Sequence, residues 1–139
     1  MYDDMVDFSA LQGLVLQEIR YLADGDEGNE VLYFITDQGS FAMTHIQDCC
    51  EGVAIEDVTG EPQALKGAFI VTAEEAVSDG VEDASDGSGT WTFYRLASHW
   101  GDLTIRWFGE SNGYYSESVS FYRISSVPDS AVEWTPKPD

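Results

Sequence analysis

Hydrolytic or group-transfer chemistry needs a nucleophile beside a base, or two carboxylates, held at a fixed separation by rigid elements. The candidates here are few. The chain has two histidines, His45 and His99, and a lone histidine near a strand end reads as a hydrogen-bonded structural residue rather than a general base. Carboxylate pairs such as Glu56-Asp57 recur, but with 26 Asp and Glu in 139 residues such adjacency follows from composition alone. No glycine-rich phosphate loop, nucleophile elbow or zinc-protease helix is present. The expectation is a non-enzymatic protein with no catalytic residues and no cofactor.

One cluster carries metal-ligand types: His45, Asp48, Cys49, Cys50 and Glu51. Structural zinc wants two separated ligand pairs, and no second pair exists. Adjacent cysteines seldom form a disulfide, because the eight-membered ring strains the peptide between them. Cys49 and Cys50 are therefore expected as reduced thiols, buried as small apolar side chains without a metal.

Leu103-Thr104-Ile105-Arg106-Trp107-Phe108 is richer. Period-2 alternation puts Leu103, Ile105 and Trp107 on one face and Thr104, Arg106 and Phe108 on the other. Beyond the Asn112-Gly113 turn, Tyr114, Ser116, Ser118, Ser120 and Tyr122 make a polar and aromatic stripe opposite Tyr115, Val119 and Phe121. If the two segments pair across that turn, Arg106, Phe108, Asn112, Tyr114 and Ser116 form a candidate site for a phosphate or carboxylate. Charge-assisted hydrogen bonds would hold the anion and a ring would stack on a base. The competing reading pairs Arg106 with one of many nearby carboxylates and leaves the hydroxyls facing water.

Charge is the second constraint. Six basic residues against 26 acidic ones give a formal net charge of −20. Such a chain is repelled by nucleic acid and by anionic membranes, and is drawn to basic surfaces such as nucleic-acid-binding clefts. Two acid-rich turns supply the candidate interaction surface: Asp24, Asp26 and Glu27 in the first, and Glu74, Glu75, Glu82, Asp83 and Asp86 in the second.

These residues must be positioned by strands. Runs rich in β-branched and aromatic residues, bounded by Gly, Asp and Asn, predict strands at 14–22, 30–36, 41–46, 53–58, 68–73, 90–97, 102–108 and 114–124. Asp37-Gln38-Gly39-Ser40 makes a hairpin of the second and third, and Asn112-Gly113 predicts another hairpin near the C-terminus. Brief helical turns are expected at 7–11 and, with Pro62 at its first position, at 62–65. Residues 74–89, acidic and without aromatics, predict a mobile loop. The fold class is mainly β: a single-domain antiparallel sandwich or partly closed barrel of about eight strands over residues 1–124. A tail carrying three of the four prolines follows over 125–139. It runs along the surface, with Trp134 as its anchor.

Length and composition agree with one domain. The chain is 43% hydrophobic, and seven Phe, seven Tyr and four Trp supply the buried area that disordered acidic chains lack. The N-terminus lacks the basic start and apolar run of a secretory signal, and no stretch approaches a membrane span of about 20 apolar residues. Residence in the cytoplasm is the expectation.

The blocks Gln47-Asp48-Cys49-Cys50-Glu51, Ile55-Glu56-Asp57-Val58 with Gly60, Trp91-Thr92-Phe93-Tyr94, and Thr104-Ile105-Arg106-Trp107 with Gly109 and Ser111-Asn112-Gly113-Tyr114-Tyr115-Ser116 together resemble a family of small acidic proteins. The family is of unknown function and is encoded by bacteriophages and bacteria. The resemblance spans about Asp7 to Phe121 and implies a single β-rich domain of phage or mobile-element origin, acting in the bacterial host cytoplasm. Small phage proteins outside the virion often counter host defence. The expected function is an inhibitor whose acidic surface mimics nucleic acid and obstructs a basic, nucleic-acid-handling host protein, without itself binding nucleic acid or membrane. The alternative is a sponge for a nucleotide-like immune signal at the Arg106 site. A third reading is a homodimeric structural accessory.

Overall fold

Because its apolar residues alternate in short runs broken by Gly, Asp and Asn, the chain builds strands joined by tight turns, with only two single 3-10 turns, Phe8–Leu11 and Pro62–Leu65. The computed structural model describes residues 2–23, 29–47, 50–79, 88–113 and 115–136. Its strands are β1 (Tyr2–Met5), β2 (Val15–Ala23), β3 (Glu30–Thr36), β4 (Gly39–Thr44), β5 (Gly52–Thr59), β6 (Ala68–Phe69), β7 (Thr72–Asp79), β8 (Ser88–Ser98), β9 (Gly101–Ser111), β10 (Ser120–Ile124) and β11 (Val132–Glu133).

They form two antiparallel sheets packed face to face, and no closed barrel. The first sheet runs β1-β10-β4-β3-β2-β11, with β6 also pairing β2; the second runs β5-β9-β8-β7. One core lies between them. Leu16, Ile19, Leu32, Phe34, Phe41, Met43 and Phe121 enter it from the first sheet, and Val53, Ala73, Tyr94, Leu96, Leu103, Ile105 and Trp107 from the second. Phe8, on its 3-10 turn, sits at the centre of the aromatic packing, with ring centroids 4.8 Å from Tyr94, 5.2 Å from Phe121 and 6.1 Å from Phe34. All three contacts are edge-on, the geometry worth about 0.5–1.5 kcal/mol per pair beyond burial. The Trp107 indole N–H donates to Met43 Sδ at 3.3 Å, tying the two sheets together inside the core.

A second, smaller core lies on the outer face of the first sheet, where Val31, Tyr33, Ala42 and Ile124 are covered by Ala131 and Val127 from the C-terminal segment. Arg20 fixes that segment by donating from Nε and Nη2 to the Ala131 carbonyl at 3.0 and 2.6 Å. Trp134 is buried, and its backbone N–H bonds the Ile19 carbonyl at 3.0 Å.

Three expectations from sequence are corrected. The single strand expected at 68–73 is two: Ala68–Phe69 pairs β2, and the chain then crosses to the second sheet, Val71 N donating to the Ala97 carbonyl at 2.8 Å. Residues 74–79 and 88–89 are strand rather than loop, since β7 pairs β8 residue by residue from Thr72↔Ala97 to Asp79↔Thr90 and Ser88 and Gly89 pair β9. Pairing with the next strand overrides acidic composition here, and acidic side chains suit an edge strand that must not pair with another molecule. Residues 80–87 of the expected mobile loop lie outside the described residues.

The third correction concerns the Asn112-Gly113 turn, which does not join a hairpin. Strand structure resumes only at Ser120, and β10 pairs β4 and β1 in the other sheet. The residues after the turn cross the inner face of the second sheet at Gly109, where a Cβ would stand 2.7 Å from the Glu117 carbonyl oxygen. Burial of Phe121 decides this path, because its ring packs on Phe8, Phe34 and Phe41 of the common core.

Candidate functional site

The two-residue turn His99-Trp100 sets Ser98 opposite Gly101, and counting outward puts Phe93 opposite Arg106 and Trp91 opposite Phe108. On the flanking strands Asp57 stands opposite Arg106 and Ala76 opposite Phe93. Since Ile105 and Trp107 fill the core, this alternate set faces outward. Arg106 lies over two rings, its Cζ 4.7 Å from the Trp91 centroid and 5.8 Å from that of Phe93. Trp91 also packs on Phe108 at 4.7 Å and on Phe93 at 6.3 Å. Arg106 Nη1 is 3.4 Å from Asp57 Oδ2, while Nε is buried against the rings without a hydrogen-bond partner. The result is a guanidinium resting on an aromatic platform, with its charge matched by a carboxylate.

Carboxylates ring the platform. Arg95 is shared between Asp102 at 2.7 Å and Glu74 at 3.5 Å, so two acids meet one base. Beside Phe108 opens a recess of about 280 Å³ lined by Glu56, Glu110, Ala54 and Gln47 among others.

Ser116 lies elsewhere. It lines a cavity of about 360 Å³ with Glu75, Thr90, Thr92, Glu117 and Ser118, reached from the inner face of the second sheet. Arg106 and Phe108 are on the outer face, so the sheet separates the two halves of the anion site expected from sequence. Asn112 is exposed at the turn between them, and Tyr114 lies outside the described residues. The neighbouring Glu117 is buried and holds three hydroxyls: Ser111 Oγ at 2.5 Å, Thr90 Oγ1 at 2.7 Å, and Ser88. Burial by itself would raise its pKa, but the three hydroxyl bonds outweigh burial and hold it below the ordinary carboxylate value.

His45 is structural in its contacts. Its Nδ1 is 2.7 Å from the Ser118 carbonyl, which can only accept, so Nδ1 carries a proton. Nε2 is 2.7 Å from Glu51 Oε2. Both residues are buried. Cys50 is disulfide-bonded and exposed, which corrects the expectation of a reduced, buried thiol at that position. Asp48 and Cys49 lie outside the described residues. Among the described residues no group of His, Cys, Asp and Glu could hold a metal ion, and no helix is long and apolar enough to cross a membrane.

A second acidic recess, of about 360 Å³, opens between the edges of the two sheets, lined by Tyr21, Glu30, Glu56, Asp57, Glu133 and Trp134 among others. Glu30 bridges the sheets there, accepting from Tyr21 OH at 2.6 Å and from Ile55 N on β5 at 2.8 Å. Of the acidic residues singled out from sequence, Glu74 and Glu75 are exposed on β7, while Asp24, Asp26, Glu27, Glu82, Asp83 and Asp86 lie outside the described residues.

Sequence reasoning missed Trp91 and Phe93 as the partners of Arg106. The signal was present: a two-residue turn at His99-Trp100 fixes the register, and the odd positions of 91–95 then face Arg106.

Residues 11–121 match the family described as a domain of unknown function, DUF7448. No curated protein and no solved structure matches the chain. With the match covering most of the chain, including the whole second sheet and its outer platform, the chain belongs to the DUF7448 family.

Proposed function

We propose that this chain is a non-enzymatic binding protein whose acidic surface obstructs a basic, nucleic-acid-handling protein, as a phage-encoded inhibitor of host defence would in the bacterial cytoplasm. The supporting observation is the fate of the positive charge. Arg20, Lys66, Arg95 and Arg106 each stand within an ion pair, with Glu18, Glu133, Asp102 and Glu74, and Asp57 respectively. With four of the six basic residues matched in this way, and Arg123 lying over the Phe41 ring and donating to the Gln38 carbonyl, the net charge of −20 attracts a cationic cleft by the same long-range field that nucleic acid uses.

Sequestration of a nucleotide-like signal draws less support. Its cation, Arg106, is already matched by Asp57, and its hydroxyl Ser116 belongs to the other face of the sheet. The test is capture from bacterial lysate on the immobilised chain, followed by affinity measurement at two salt concentrations. A basic partner is expected, with affinity falling at least about tenfold between 50 and 200 mM salt. Complexes indifferent to salt would remove the basis of the proposal.

A further inference from the structure

The outer face of the first sheet carries a small buried core under the C-terminal segment, and among the described residues no such buried cluster lies on the outer face of the second. That second face carries Trp91 packed on both Phe93 and Phe108, all half-buried, with Arg106 over two of the rings. Solvent-facing positions of an antiparallel sheet are ordinarily polar. Aromatic rings and an arginine at the centre of a face, with charged groups around it, are the composition of a protein-binding hot spot.

Charge selects the occupant. The rim holds Asp57, Glu74, Asp102 and Glu110, with Glu56 in the adjoining recess, against Arg95 and Arg106, both already in ion pairs. A nucleic acid is repelled, and a second copy brings another −20 to the same contact. A surface bearing arginine or lysine beside apolar side chains fits both parts. Its cation enters the recess between Glu56 and Glu110 next to Phe108, and its apolar groups cover Trp91 and Phe93. We infer that the outer face of the strands β5-β9-β8-β7 is the surface on which this chain docks a basic protein, with Trp91 and Phe108 as its anchors. The inference rests on the proposed function and adds the location and the apolar component of binding.

The probe is a synthetic peptide of about 20 residues that alternates arginine with leucine, titrated into ¹⁵N-labelled full-length protein, with poly-lysine of equal charge as control. Amide shifts are expected to concentrate on 90–97 and 104–110 with the arginine-leucine peptide and to be weaker and dispersed with poly-lysine. Trp91→Ala is expected to weaken the arginine-leucine peptide by at least about thirty-fold, as loss of a central anchor does. Glu56→Gln with Glu110→Gln is expected to flatten the salt dependence. The wild-type shift map stands without any variant, so a variant that fails to fold does not remove the test. Tight, salt-sensitive binding with shifts spread over other acidic surfaces would overturn this docking face while leaving the acidic-inhibitor reading intact. No binding of either peptide would overturn both. Shifts at the platform caused by a mononucleotide, or dimerisation through this face in sedimentation, would replace the basic protein with that occupant and overturn the inference.

Discussion

Glu117→Ala removes a buried carboxylate that three hydroxyls serve, from Ser111 at 2.5 Å, Thr90 at 2.7 Å, and Ser88. A hydrogen bond to a charged group contributes about 1.5–3 kcal/mol. Simple addition would overshoot, because Glu117 lines a cavity of about 360 Å³ and the abandoned hydroxyls can turn to water there. A loss of about 3 kcal/mol follows for alanine, and about 1 kcal/mol for glutamine, which keeps the shape and one acceptor. With an unfolding entropy of about 2.1 cal/mol/K per residue, each kcal/mol moves the Tm of a chain this long by about 3 °C. The expected shifts are therefore about 10 °C for alanine and about 3 °C for glutamine. The sign with pH follows from the lowered pKa. Its stabilisation is fully present above the unfolded carboxylate value of about 4.3 and is lost as pH falls through the lower folded value. The gap between wild type and Glu117→Ala should thus be widest at neutral pH and narrow below about pH 4. Calorimetry of the three proteins from pH 7 to pH 3 measures it. An alanine variant within about 2 °C of wild type at neutral pH, or a gap that widens toward acid, would refute the reasoning.

Other perturbations probe the frame around the platform. Gly109→Ala drives a methyl against the Glu117 carbonyl and Val53, and denaturant unfolding should show a loss of about 1–3 kcal/mol. Glu30→Ala strips the acceptor from Ile55 N and Tyr21 OH; it should cost about 2 kcal/mol and speed hydrogen exchange at Ile55, with Glu30→Gln retaining most of the protection. Burial and then the neighbouring carboxylates, Glu75 for Tyr94 and Glu30 for Tyr21, push both phenol pKa values well above the ordinary value of 10.0. Folding then gains from their protonated forms below about pH 10 and loses that gain as pH rises further, because the unfolded chain ionises first. An ultraviolet titration should find these two tyrosines silent until the protein unfolds.

How far the sequence could be read depends on the range over which each feature is decided. The hairpin of 30–44 was legible because a short turn between two apolar runs settles the pairing. The Asn112-Gly113 turn has equal local strength, yet the chain beyond it leaves for the other sheet, since Phe121 gains more among Phe8, Phe34 and Phe41 than beside β9. That non-local choice also separates Ser116 from Arg106. Acidic composition hid β7, although its partner is the next strand in the chain. The alternation placing Arg106 and Phe108 on one face was legible and holds; the rings beneath the arginine come from the neighbouring strand and required the register of 98–101.

The central claim, that this acidic surface occupies a cleft made for nucleic acid, meets its most direct test in competition. A basic partner captured by the chain is loaded with fluorescent duplex DNA, and the chain is titrated in at 50 mM salt while anisotropy is followed. Displacement of the DNA to completion by a single equivalent of chain, with the titration weakening steeply as salt is raised, is the expected result. A ternary complex in which DNA stays bound, or release that is indifferent to salt, would contradict it.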